Sequence, residues 1–172
     1  QLEDKSGDEV FLPYHIKEMP SGIRVGVTGV TPAVFMDDHV NNNQRIKVNE
    51  PLMQLRKTLE LLEQKTDFVV LLSHFGFDGT QNLFRYNNIS GVDVAVAGHG
   101  RKLTEQPLKI NNTFIVQNGM GGEYLSVLKL NLDDNGNVVD YSLENTALTD
   151  EIPEDPYLKK QQDMFKAQKS KK

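Results

Sequence analysis

Two short apolar runs constrain this chain more than anything else in it. "FVVLLSHFG" at 68–76 and "VDVAVAGHG" at 92–100 are each dominated by valine, leucine and alanine, and each ends at a histidine with glycine close by. An apolar run of that length, following a helix, is the pattern of a strand buried on both faces, as in parallel sheets. Parallel neighbours need crossover connections, which are almost always right-handed and usually helical. The flanking sequence supplies them. In "NEPLMQLRKTLELLEQKTD" (49–67) Leu52, Leu55, Leu59 and Leu62 recur at three- and four-residue steps on one face, while Lys57, Glu60 and Gln64 point to water. Asn49 is expected to cap this helix, and Pro51 suits its first turn, where a missing N–H has no helical partner. A second, polar helix is predicted over 79–87.

The remaining elements follow from turn chemistry. "EVFLPYHIKE" (9–18) and "GIRVGVTGVTP" (22–32) read as a hairpin closed by "MPSG" and feeding a core strand. "FMDDHVNNNQRIKVN" (35–49) is a loop or a short irregular helix. "NTFIVQNG" (112–119) is a third short strand that ends in a glycine loop. "YLSVLKLNLDDNGNVVDYSLENTAL" is a hairpin turning at Asn135–Gly136, a pair that tolerates positive φ. After "EIPEDP" one amphipathic helix follows, with Tyr157, Leu158, Met164 and Phe165 as its apolar anchors, and a basic end. The expected class is α/β: a mostly parallel sheet with a C-terminal antiparallel hairpin, the domain over 1–150 and the helix with its tail over 151–172.

Composition excludes several functions. No stretch reaches the roughly 20 apolar residues of a membrane-spanning helix. A formal net charge of −5 gives no basic face for general nucleic-acid binding. The absence of cysteine removes disulfides, thiolate metal sites and a cysteine nucleophile. The chain begins at Gln1 with neither an initiator Met nor a basic-then-apolar leader, so we expect a processing boundary there with sequence ahead of it.

Four histidines are present: His15, His39, His74 and His99. His15 lies within the first strand and His39 in the polar 35–49 segment, and neither has a ligand-like setting. His74 and His99 each follow the carboxyl end of a predicted parallel strand. Open parallel sheets bind ligands at that end of their strands, so both imidazoles can converge on one crevice. Flanking glycines let the backbone turn sharply and approach a small object such as a metal ion, and neutral imidazole suits zinc, manganese and iron. The alternative is that each ring merely finishes a strand and hydrogen-bonds a loop carbonyl. Two histidines are also an incomplete ligand set, since a hydrolytic zinc site usually has three protein ligands. "GMGG" (119–122) has no following helix and reads as a tight turn rather than a phosphate cradle.

"FVVLLSHFG", "ISGVDVAVAGHG" and "FIVQNGMGGEYLSVLKLNLD", preceded by "PYHIKEMPSGIRVGVTGVTP", together resemble the second half of the calcineurin-like metallophosphoesterase domain, in its 5′-nucleotidase and sugar-diphosphatase branch. The resemblance covers about residues 10–158. It implies half of a four-layer αββα sandwich whose intact site holds two divalent metals. It implies that His74 and His99 bind the second of these, and that neither is the acid–base group. The position of the last histidine of the family's G-H-x-H motif is Arg101, a departure. A guanidinium has no lone pair for a metal. Either the first metal lacks a ligand, or Arg101 holds a substrate phosphate or replaces the ion's charge, or it is a surface arginine without a role. Arg101 and Asn118 are the substrate-binding candidates. No catalytic residue is assigned.

The family's amino-terminal D-x-H, G-D and G-N-H-D/E segments do not occur in the chain. "MDDH" (36–39) places Asp37 and His39 as a superficial D-x-H match, but between the hairpin and the long helix, and is rejected. The leading expectation is part of a metal-dependent phosphoester hydrolase acting on a nucleotide or sugar nucleotide, exported to the periplasm or cell surface as the resemblance implies. The isolated chain should bind Zn, Mn or Fe weakly and hydrolyse nothing. The rival readings are a degenerate, non-catalytic binding module of the same fold, and an unrelated α/β ligand-binding domain with structural histidines. Val25, Val27, Val70, Leu72, Val94 and Val96 are expected to form an exposed apolar sheet face, and such a face favours self-association.

Overall fold

A computed structural model describes residues 2–3, 11–33, 47–48, 50–133 and 136–169. The predicted cap Asn49, the turn residue Asn135 and the "MDDH" segment, with Asp37 and His39, lie outside the described residues. Two short strands, β1 (Leu2–Glu3) and β4 (Lys47–Val48), pair antiparallel.

The main sheet has six strands in the order β2-β3-β5-β6-β8-β7. Its centre is parallel: β3 (Arg24–Val30), β5 (Phe68–Ser73), β6 (Val94–Ala97) and β8 (Thr113–Val116). The edges β2 (Tyr14–Glu18) and β7 (Leu108–Ile110) are antiparallel to β3 and β8. The expected first hairpin is β2–β3. β7, which the sequence pattern did not signal, closes the far edge of the sheet.

Two helices cover one face. α1 (Pro51–Glu63) buries Leu55, Leu59 and Leu62 as the leucine spacing requires. Its cap is Glu50, whose carboxylate accepts from the N–H groups of Leu52 and Met53, which have no helical acceptor in the first turn. Leu62 lies so close to β3 that a Cβ at Gly26 would stand 2.8 Å from its Cδ2. α2 (Gly76–Arg85) starts three residues earlier than the polar pattern suggested. Phe77, Leu83 and Phe84 then join Leu71, Ala95 and Ile115 in the main core.

The C-terminal hairpin, β9 (Tyr124–Leu132) with β10 (Val138–Ala147), is a separate two-stranded sheet. The edge next to β8, where it could have joined the main sheet, is taken by β7. Instead Leu128, Leu130, Leu132 and Val138 lie across the second face of the sheet and bury Phe68, Val94 and Phe114. The apolar face expected to be exposed is therefore half closed. Val94 is buried at 6%, while Leu72 at 51% and Val96 at 38% remain open toward the carboxyl ends of their strands. α3 (Pro156–Lys169) forms where the sequence predicts it, with Tyr157, Leu158, Met164 and Phe165 all exposed. No described helix is long and apolar enough to cross a membrane.

Candidate functional site

The carboxyl ends of β5 and β6 are tied together by their backbones. The Gly98 N–H donates to the Ser73 carbonyl (2.7 Å), and the Gly76 N–H donates to the Gly98 carbonyl (2.9 Å). Beneath this tie, the hydroxyl of Thr80, fully buried in α2, donates to the Gly76 carbonyl (2.6 Å) and lies within hydrogen-bonding distance of Ser73 Oγ (2.8 Å), which fixes the first turn of the helix to the strand tip. His74 follows Ser73 directly, and its N–H donates to the Val30 carbonyl (2.9 Å) of the adjacent strand.

His99 sits one residue beyond Gly98 with φ of 71°, in the left-handed region. A side-chain-bearing residue enters that region at a cost, although histidine does so more readily than most. The bend brings the rings of His74 and His99 to 4.8 Å between centroids, edge to face at 60°. Gly98 packs beside His74, where a Cβ would make ordinary contact with His74 Nδ1 at 3.7 Å. Both histidines are exposed. The spacing suits one divalent ion: with imidazole nitrogens about 2.0–2.1 Å from a zinc ion, two ligand rings come to lie at about this separation. The donor chemistry fits as well, since neutral imidazole is a soft-borderline nitrogen ligand. Among the described residues, no group of three or more His, Asp, Glu or Cys is arranged to hold a metal. His15 lies exposed on the edge strand β2, paired opposite Val27.

After His99 the chain crosses the tip of β8. The Gly119 N–H donates to the Lys102 carbonyl (2.9 Å), Leu103 bridges Asn118, and the Thr104 N–H donates to the Gln117 carbonyl (2.8 Å). Lys102 Nζ stands 3.9 Å from the centre of the Phe77 ring, a cation–π contact. Arg101 is exposed on this same bend, one residue beyond Gly100. Asn118 is exposed at the β8 tip and donates from Nδ2 to the Tyr124 carbonyl (3.3 Å). Asn118 also lines a cavity of about 340 Å³ between the sheet and the hairpin, with Val70, Val96, Val116, Ser126 and Leu128 among its walls. The structure thus gathers His74, His99, Arg101 and Asn118 at one end of the sheet.

Sequence reasoning missed Ser73, Thr80, Thr104 and Gln117, which support this end from below. Each is a polar residue within a buried stretch (Gln117 is 2% exposed, Thr104 4%), and only the fold shows what they face.

No family model matches the chain. It is 25% identical over 134 residues to "Uncharacterized metallophosphoesterase YunD" of Bacillus subtilis, a match covering 77% of this chain and 28% of that protein. It is 28% identical over 174 residues to the 5′-nucleotidase of Homo sapiens, covering 87% and 29%. Its fold matches the crystal structure of a 5′-nucleotidase precursor from Thermus thermophilus with a TM-score of 0.71, at 24% identity and over 92% of this chain and 34% of that one. The chain therefore spans about a third or less of the length of these relatives.

Proposed function

We propose that this chain, a relative of metallophosphoesterases and 5′-nucleotidases with the calcineurin-like fold over a partial region, supplies two of the ligands of a divalent-metal site in a phosphoester hydrolase. The observation that carries this reading is the ring pair. His74 and His99 leave neighbouring parallel strands and meet at 4.8 Å, and a backbone in the left-handed region is maintained at His99 to bring them together.

When bound, a divalent ion in such a site offsets charge on a phosphoryl group and lowers the pKa of a bound water. The chain's own residues divide the remaining work. His74 and His99 hold the ion through ring nitrogens, and the Ser73–Gly98–Gly76 backbone tie holds the two strand tips side by side. Arg101, permanently cationic, is placed to pair with a phosphate by bidentate hydrogen bonds, and Asn118 offers an amide at the same rim. The open carboxyl end of the sheet, with Leu72 and Val96, receives protein lying outside this chain that brings the remaining ligands. The chain alone binds metal weakly and does not hydrolyse phosphoesters. A nucleotide is the favoured substrate, since relatives of this chain are named 5′-nucleotidases, and an exported location is in keeping with relatives named from snake venom.

The test is phosphate release from AMP by the longest form that the gene encodes, with Zn²⁺ or Mn²⁺ added. We expect His74→Ala and His99→Ala each to abolish turnover while folding is retained. Unchanged turnover in both variants would sink the reading. Arg101 favours a second reading, a non-catalytic binding module of this fold: AMP binding without release, lost in Arg101→Ala, would establish it.

A further inference from the structure

Gln117 is 2% exposed, and neither its side-chain oxygen nor its side-chain nitrogen has a hydrogen-bonding partner among the described residues. A buried primary amide left so is unusual, because desolvating an unpaired polar group costs free energy that an apolar side chain of the same size would not. Its position gives the cost a meaning. The Gln117 main chain is clamped to Thr104, whose hydroxyl accepts from the Gln117 N–H (3.0 Å) and donates to its carbonyl (2.9 Å). The side chain then reaches under the bend that carries His99. A Cβ on Gly100 would stand 2.6 Å from Gln117 Nε2 and 2.9 Å from Oε1. The amide thus occupies the space that a side chain at Gly100, the residue next to His99, would need. That bend is held on one side by the Gly98 N–H to Ser73 and on the other by the Gly119 N–H to Lys102.

We infer that Gln117 is a positioning residue for His99: its amide acquires backbone partners from the His99–Arg101 bend when that bend closes on a cation held by the two imidazoles. The inference rests on the proposed role of His74 and His99 as metal ligands. In the metal-free chain the amide is a standing cost. In the closed bend it donates and accepts, and so favours the geometry in which His99 faces the ion. Residues that orient metal ligands from behind typically alter affinity about 10–100-fold when removed.

The experiment is Zn²⁺ titration by calorimetry together with thermal melting of the metal-free protein, on the full chain and its Gln117→Met, Gly100→Ala, His74→Ala and His99→Ala variants. Methionine matches the volume of the side chain and removes both orphan atoms. Gln117→Met should melt higher than the parent by roughly 2–4 °C and yet bind Zn²⁺ about tenfold or more weakly. Gly100→Ala, which drives a methyl into the amide, should weaken Zn²⁺ to a similar degree. A higher melting temperature with unchanged Zn²⁺ affinity would show the amide to be idle and overturn the inference alone. A lower melting temperature, or failure of Gln117→Met to fold, would show the amide already partnered in the free chain and overturn it equally. Unchanged affinity in the histidine variants would remove the ligand assignment itself, and this inference with it.

Discussion

On its helix side the six-stranded sheet buries Leu71, Ala95 and Ile115 completely. On its hairpin side exposure climbs along β5 and β6, from Phe68 at 9% to Leu72 at 51%, and from Val94 at 6% to Val96 at 38%. The hairpin side is at least as apolar in sequence as the helix side, so composition does not cause the difference. Coverage does. α1 and α2 cover one face, while the β9–β10 hairpin packs directly on the other at Phe68, Val94 and Phe114 and leaves a cavity toward the carboxyl ends of β5 and β6. The uncovered carboxyl ends are where His74 and His99 emerge, so the unfinished part of the core and the candidate site are the same end of the molecule.

The largest effect that sharpens this contrast is at Phe114, buried at 1% beneath the hairpin. Phe114→Ala should cost about 3–5 kcal/mol in urea unfolding. Leu72→Ser and Val96→Ser, on the same face but at its open end, should each change stability by less than about 0.5 kcal/mol, while abolishing any concentration-dependent self-association seen by light scattering. If the two serine variants destabilise the chain as Phe114→Ala does, the open end is covered in solution and the contrast fails.

Smaller effects distinguish two carboxylates that bracket the strands. Burial pushes the Asp93 carboxyl up, only partly countered by the hydrogen bond it accepts from the Val69 N–H (2.7 Å). A raised folded pKa means that stability is greatest below the unfolded value and declines as pH rises through the folded one. Asp93→Asn, which keeps an acceptor and sheds the charge, should therefore melt higher than the parent at neutral pH. Asp67 shifts oppositely. Hydrogen bonds from the Arg24 side chain and backbone hold it at about 2. Its contribution is present above the ordinary aspartate value of about 3.9 and is lost as pH falls from there toward about 2. Asp67→Asn should remove that contribution, lowering the melting temperature modestly at neutral pH and flattening the acid part of the profile.

Much of this was legible before any coordinates. The leucine spacing of α1, the apolar runs of β5 and β6 and the Asn–Gly turn signal after β9 are local, and each specifies its element by periodicity or backbone preference. The convergence of His74 and His99 followed from the general rule that parallel strands deliver ligands at their carboxyl ends. What sequence could not show depends on contacts between distant segments. β7 is three residues long, too short for a pattern, yet it determines that the hairpin lies over the sheet rather than at its edge. Glu50 caps α1 through its carboxylate, which accepts from the Leu52 and Met53 N–H groups, a role that glutamate, outside the usual N-cap set, does not signal in sequence. The burial of Gln117 arises only once the 98–104 segment has folded over the β8 tip.

The central claim is that two imidazoles grip a single cation, and it is tested most directly by NMR of the chain labelled with ¹⁵N in its histidine rings, as Zn²⁺ is added to equimolar amounts. The account predicts that a ring nitrogen of His74 and one of His99 shift together, at the same metal concentration, while His15 stays still. Movement of one ring without the other, or of neither, would contradict it.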